Sequence, residues 1–134
     1  MKKATKQDIE IIKQAFIEKY SDAVTELNYK NDYELLIAII LSAQCTDRRV
    51  NIITPALFEK YPSVKELAIA ELEDVKALLN SCSFFNNKSK NIIKMAQSVL
   101  MDYDGKIPHD QKQLMKLAGV GNKTANVFMI EFEG

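Results

Sequence analysis

Lys123 stands in a short run in which glycine recurs, Leu117-Ala118-Gly119-Val120-Gly121-Asn122-Lys123-Thr124-Ala125. An amine held there can attack an electrophilic carbon and keep it as a Schiff base, provided the nitrogen is neutral when it attacks. The glycines add a second capability. Gly119 and Gly121 lack a Cβ, so they can take positive φ and let a phosphate come close to peptide N–H groups. The flanks predict helices on both sides. Gln111 to Leu117 carries Leu114, Met115 and Leu117 among polar residues, and Thr124 to Phe132 carries Ala125, Val127, Phe128, Met129 and Ile130. A helix opening after Gly121 aims its first N–H groups and the positive end of its dipole at a bound phosphate. The same dipole, with partial desolvation, lowers a lysine pKa toward neutrality. On spacing alone, the commoner case is a solvated lysine near a helix start.

The elements that must position this run read as all-helical, because glycine and proline are scarce and an apolar period near 3.6 recurs. Thr5 can cap a first helix through Tyr20, with Ile9, Ile12, Phe16 and Ile17 on one face. After a polar link from Ser21 to Asn31, Asp32 can cap Tyr33 to Ala43, which is apolar on every side and must be the central buried helix. Thr46 or Asp47 opens the next helix, with Val50, Ile53, Leu57 and Phe58 inward and Pro55 as a candidate kink. Short helices follow from Pro62-Ser63 to about Ala70 and from Leu72 to Leu79. A long one starts at Asn86 or Asn87, carries Ile92, Ile93, Ala96, Val99, Leu100 and Tyr103, and stops at Asp104-Gly105. Neither internal repeats nor a convincingly alternating strand are found.

Bulk composition restricts the classes open to the chain. Its 134 residues, 47% of them apolar, suit one compact domain or most of a two-domain protein. Eighteen basic residues balance eighteen acidic ones. That neutrality argues against a general electrostatic grip on nucleic acid and for a local site of backbone amides and a few lysines. Cys45 and Cys82 are the two cysteines, far apart in sequence, and cannot ligate a cluster or structural zinc unaided. They read as free buried thiols in a reducing compartment, and no metal is expected. His109 is the single histidine and reads as a loop residue, so no histidine triad can be assembled. No signal peptide is visible, and Leu35 to Leu41 is too short to span a bilayer. A cytoplasmic, nucleoid-associated monomer is expected.

The run from Leu117 to Ala125 resembles the helix-hairpin-helix of the endonuclease III family of DNA repair glycosylases. Leu35 to Asp47, LLIAIILSAQCTD, is similar to that family's buried helix and its Leu-Ser-x-Gln-x-Thr-Asp element, and Phe84 to Ile93 to a third block. The resemblance implies an all-α fold, duplex DNA with an oxidised pyrimidine or an abasic site as substrate, and base removal coupled to AP lyase β-elimination. It implies Lys123 as the nucleophile, with Gly119, Val120, Gly121 and Thr124 at the phosphate-binding hairpin. It implies Gln44 as the plug filling the gap left by a flipped nucleotide and Phe84 as an apolar wedge, since extracting a base costs a few kcal/mol. Without it, Gln44 would read as a helix-end residue and Phe84 as core. Asp47 either helps orient the pocket or caps its helix. Lys88, Lys90 and Lys94 are candidates for phosphate contacts beside the wedge, set against an ordinary solvated face. Lysine at position 123 favours the bifunctional branch over the adenine-mismatch glycosylases.

Departures from the family pattern bear on activity. Ala118 stands where the family has proline, which should loosen the turn slightly. Family members also carry a Val/Ile-Asp-Thr-His segment, whose aspartate is essential to base removal, and four cysteines for a 4Fe-4S cluster; neither occurs in this chain. The expectation is a truncated protein in which residues 1–21 form a helix of the cluster domain and 22–134 a six-helix barrel, with the hairpin at about 111–132. Phe16, Ile17 and the last helix would then be undercovered. Base excision would be impaired, and the alternative is a non-catalytic helix-hairpin-helix module that binds DNA.

Overall fold

A computed structural model describes residues 26–133, so the expected first helix with Ile9, Ile12, Phe16 and Ile17 lies outside the described residues. Among the described residues the fold is all-helical: α1 (Asp32–Leu41), α2 (Asp47–Lys60), α3 (Val64–Ala68), α4 (Leu72–Leu79), α5 (Phe85–Asp102), α6 (Gln111–Leu114) and α7 (Asn122–Glu133).

The all-apolar run does become the centre. Every residue of α1 from Tyr33 to Leu41 is buried, and the helix packs against α2, α5 and α7. Its cap is Asn31 rather than Asp32: the Asn31 side chain accepts from the Glu34 N–H at 2.9 Å, and Asp32 becomes the first helical residue. α1 also stops at Leu41, short of Ala43. Thr46 caps α2 through its hydroxyl, which accepts from the Arg49 N–H at 3.1 Å. Asp47 is therefore not the cap; it is the first residue inside the helix. Pro55 sits within α2 without ending it.

α3 and α4 pack across α5, whose buried stripe is Ile92, Ile93, Met95, Ala96 and Val99. Leu100, expected on that stripe, is 38% exposed, and Met95 takes the buried place. Asp104 and Gly105, both at positive φ, end the helix. His109 is in a loop, as expected, yet its Nε2 lies 2.9 Å from Asp32 Oδ2 and its ring meets Phe128 and Phe132 edge-on. These contacts fasten the start of α1 to α7 and so fix the axis along which α7 delivers Lys123.

Candidate active site and nucleic-acid interface

The site begins with the hairpin between α6 and α7. Asp110 caps α6 by accepting from the Gln113 N–H, and the Gln111 amide donates to Asn122 Oδ1 at 3.0 Å, holding the two helix starts together. Gly119 takes φ +81, and a Cβ there would lie 3.0 Å from Asn91 Cβ on α5. Glycine is required at that position twice over, by backbone and by space. Gly121 differs from the expectation. Its φ is not in the left-handed region, and a Cβ there would meet nothing within 4 Å. It presents bare backbone to open space at the mouth of α7, where its carbonyl accepts the Ala125 N–H.

Val120 also needs correcting as a DNA contact. Its side chain is buried in the core, and its N–H donates to the Leu117 carbonyl at 3.1 Å, so it shapes the hairpin from inside.

Lys123 and Thr124, on the first turn of α7, line a cavity of about 880 Å³. The opposite wall is the turn between α1 and α2, with Gln44, Cys45 and Asp47, and Ser81 and Ser83 close it from the α4–α5 loop. Lys123, Gln44 and Asp47 thus come together from sequence positions that local pattern cannot relate. Asp47 Oδ2 accepts the Glu26 N–H at 2.9 Å, which fixes its carboxylate in the wall. Lys123 is exposed at the cavity mouth. Arg49, one turn into α2, also lines this cavity and escaped the sequence reading. No local pattern marks it, because residues two apart on a helix do not share a face and its entry depends on how α2 packs.

Two side chains beside the cavity sit on left-handed backbone. Gln44 has φ 56 and Phe84 has φ 55, a conformation unfavourable for side chains of their size. Phe84 is 62% exposed, so it is not the core residue that an isolated reading suggests. Such strain at exposed residues is characteristic of functional positions.

Lys88 is not a phosphate contact. It is buried, and its Nζ donates to the carbonyls of Leu41, at 2.8 Å, and of Ala43, and approaches Cys82 Sγ at 3.5 Å. A cationic head is thus set at the carbonyl end of α1, where dipole and unpaired C=O groups favour it. Lys90 and Lys94 remain exposed on α5. Both cysteines are free; Cys82 is buried and Cys45 half-buried. Burial, then the neighbouring Cys45, push the Cys82 thiol pKa up, while Lys88 opposes them.

Comparisons with known proteins agree with the helical fold. Residues 37–130 match the family described as HhH-GPD superfamily base excision DNA repair protein. The endonuclease III of Synechocystis sp. is 44% identical over 110 residues, covering 82% of this chain and 50% of that protein. That of Bacillus subtilis is 43% identical over 108 residues, covering 81% and 49%. The chain thus spans about half the length of the curated relatives it matches. Among solved structures, a trapped endonuclease III–DNA covalent intermediate in an estranged-adenine complex superposes with a TM-score of 0.77 at 42% identity, over 94% of this chain and 59% of that one. A non-covalent endonuclease III–DNA complex matches equally well, with a TM-score of 0.77, 42% identity and the same coverage. With its family motifs, its helical fold and these relatives in agreement, the chain belongs to the HhH-GPD superfamily of base excision DNA repair proteins.

Proposed function

We propose that this chain supplies the DNA-opening surface and the amine nucleophile of a bifunctional DNA N-glycosylase with AP lyase activity. Its partner is duplex DNA bearing an oxidised pyrimidine or an abasic site. The observation that carries the reading is the shared cavity: Lys123 from the first turn of α7 meets Gln44 and Asp47 from the α1–α2 turn in one space. At about 880 Å³ it has the size of a pocket for one extruded nucleotide.

The chemistry follows from the amine. Neutral Lys123 Nζ attacks the sugar C1′, the bond from C1′ to the base breaks and the base leaves with a proton from the nitrogen; the C1′–O4′ bond then opens, O4′ taking a proton from water, and the sugar is held as a ring-opened iminium. Loss of a proton from C2′ then breaks the C3′–O bond and releases the 3′ phosphate, and water returns the amine. Gln44 fills the gap in the stack, and Phe84 wedges the opposite strand. Gly119 shapes the hairpin whose bare backbone at Gly121, with the start of α7 and Thr124, takes a backbone phosphate. Arg49 offers a second phosphate contact from the opposite wall. Asp47, fixed through Glu26, orients the pocket.

In the whole protein, the described residues 26–133 would belong to the six-helix barrel, and the expected cluster-domain helix at 1–21 lies outside the described residues. A 4Fe-4S cluster does not fit the residues present. The chain has two cysteines, and the described residues contain no group of three or more His, Cys, Asp or Glu placed to hold a metal ion. Among the described residues no helix is long and apolar enough to cross a membrane, and a monomer working in the nucleoid is the form proposed.

A second reading, a helix-hairpin-helix module that holds DNA without reacting, is favoured by the exposure of Lys123. Two duplexes separate the readings. On a preformed abasic site the polypeptide should nick weakly, leaving the β-elimination end. On an oxidised pyrimidine it should release little base, because these 134 residues contain no Val/Ile-Asp-Thr-His segment to stabilise charge on the sugar. Near-normal base release would contradict the proposed impairment; binding without nicking would favour the module.

A further inference from the structure

Cys45 and Cys82 are far apart in sequence, yet the fold sets them on either side of one turn. Cys82 Sγ donates to the Leu41 carbonyl at 3.4 Å, so it lies directly beneath the end of α1. The chain then turns, with the Cys45 N–H donating to the Ser42 carbonyl at 3.1 Å, and Cys45 emerges in the cavity wall. Ser81 and Ser83, which flank Cys82, line the same wall. Both side chains therefore adjoin the short turn that runs from Leu41 to Cys45. Lys88 Nζ, at 3.5 Å from Cys82 Sγ, closes the cluster from below.

We propose that this thiol pair is an oxidation site, at which hydrogen peroxide closes a reversible Cys45–Cys82 disulfide between the turn carrying Gln44 and the loop carrying Phe84. Cys45 reacts first, because it faces the cavity while Cys82 is buried and its ionisation is suppressed. Its thiolate sulfur takes one oxygen from peroxide, giving the sulfenic acid and hydroxide. The sulfur of Cys82 then attacks the sulfur of Cys45; the S–S bond forms, and the hydroxyl leaves as water with the thiol proton. Two thiols and one peroxide thus yield one disulfide and two waters, and a dithiol reductant reverses the step. Lys88 favours the thiolate of Cys82 in that second step. Within a reducing compartment such a bond is transient, as intracellular sensing disulfides are.

The consequence rests on the DNA-opening reading above. Gln44 and Phe84 must both enter the duplex, and a covalent tie between their supports removes the freedom to do so. DNA seated in the cavity also covers Cys45 and should slow its oxidation.

The test treats the full chain with a small molar excess of hydrogen peroxide and measures intact mass without reductant, followed by peptide mapping. The expected result is a loss of about 2 Da, a linked peptide pair containing Cys45 and Cys82, and recovery with dithiothreitol. Cys45→Ala, at a half-buried position, should abolish the loss, and Cys82→Ala should leave Cys45 to gain oxygen instead. A gain of about 16 or 32 Da on Cys45 in the unsubstituted chain, or a bridge between two chains, overturns the site. Binding to an abasic duplex is measured on the same samples. It should fall at least fivefold on oxidation and recover on reduction. A bridge that leaves binding unmoved overturns the consequence alone; failure of the reduced chain to bind any duplex overturns the DNA-opening reading and leaves the mass result to decide the bridge.

Discussion

Lys88 Nζ, on the first turn of α5, donates to the carbonyl of Leu41 at 2.8 Å. That bond, with its companion to Ala43, ties the helix that follows Phe84 to the turn that presents Gln44. The two strained, exposed residues are therefore held by one buried side chain. Replacing it with Lys88→Met removes the donor to Ala43 and leaves the Leu41 carbonyl only the weak thiol bond from Cys82. We expect a loss of about 2–4 kcal/mol, read as a lower urea midpoint with an unchanged slope. A phosphate contact would behave differently, changing the salt dependence of DNA binding with little effect on stability.

The two glycines of the hairpin should separate stability from binding. Gly119→Ala must adopt φ +81 and press on Asn91, costing at least about 1–2 kcal/mol from the left-handed backbone alone. Gly121→Ala meets open space, so stability should change by less than about 0.5 kcal/mol. Affinity for an abasic duplex should nonetheless fall with Gly121→Ala, because the added methyl occupies the surface a phosphate must reach. Thermal unfolding and fluorescence anisotropy on the same two variants check both statements.

How much of this was legible in the sequence depends on the distance over which the information is carried. The limits of α4, the burial of α1 and the cap Thr46 follow from local pattern. So does the turn at Gly119, because only glycine fits it. Lys88 was misread because lysine in a polar run belongs in water by default, and the carbonyls that bury it lie on another helix. The left-handed backbone of Gln44 and Phe84 leaves no trace in residue type, since both types avoid it. The placing of Cys45 and Cys82 at one turn, and the entry of Arg49 into the cavity, depend on how α2, α4 and α5 pack.

The strain at Phe84 predicts a trade between stability and function. Glycine there removes a left-handed penalty of about 1–2 kcal/mol and adds about 0.5–1 kcal/mol of chain entropy to the unfolded state. The exposed ring contributes little burial to lose. Phe84→Gly should therefore be more stable by roughly 0.5 kcal/mol yet slower to open a duplex, whereas Phe84→Ala keeps the strain and loses the wedge. Chemical denaturation and the rate of abasic-site nicking measure the two halves of the trade.

Alkaline pH should weaken the fold through Tyr29, whose hydroxyl donates to Glu131 Oε1 at 3.1 Å. Burial, with the charge and hydrogen bond of Glu131, raises its pKa from 10.0 to about 12. The folded chain keeps this proton where the unfolded chain has lost it. The stability it contributes is whole below pH 10.0 and declines as pH rises through about 12. Tyr29→Phe should flatten that part of the stability profile, as followed by urea unfolding at successive pH values.

The central claim is that Lys123 is an amine nucleophile presented to an opened duplex. Borohydride trapping on a duplex with a single abasic site, followed by mass mapping of the adducted peptide, tests it directly. A covalent adduct on Lys123 that disappears in Lys123→Ala, while that variant still binds the duplex, is the predicted result. A duplex that binds the unsubstituted chain without forming an adduct, or an adduct that persists in Lys123→Ala, would contradict it.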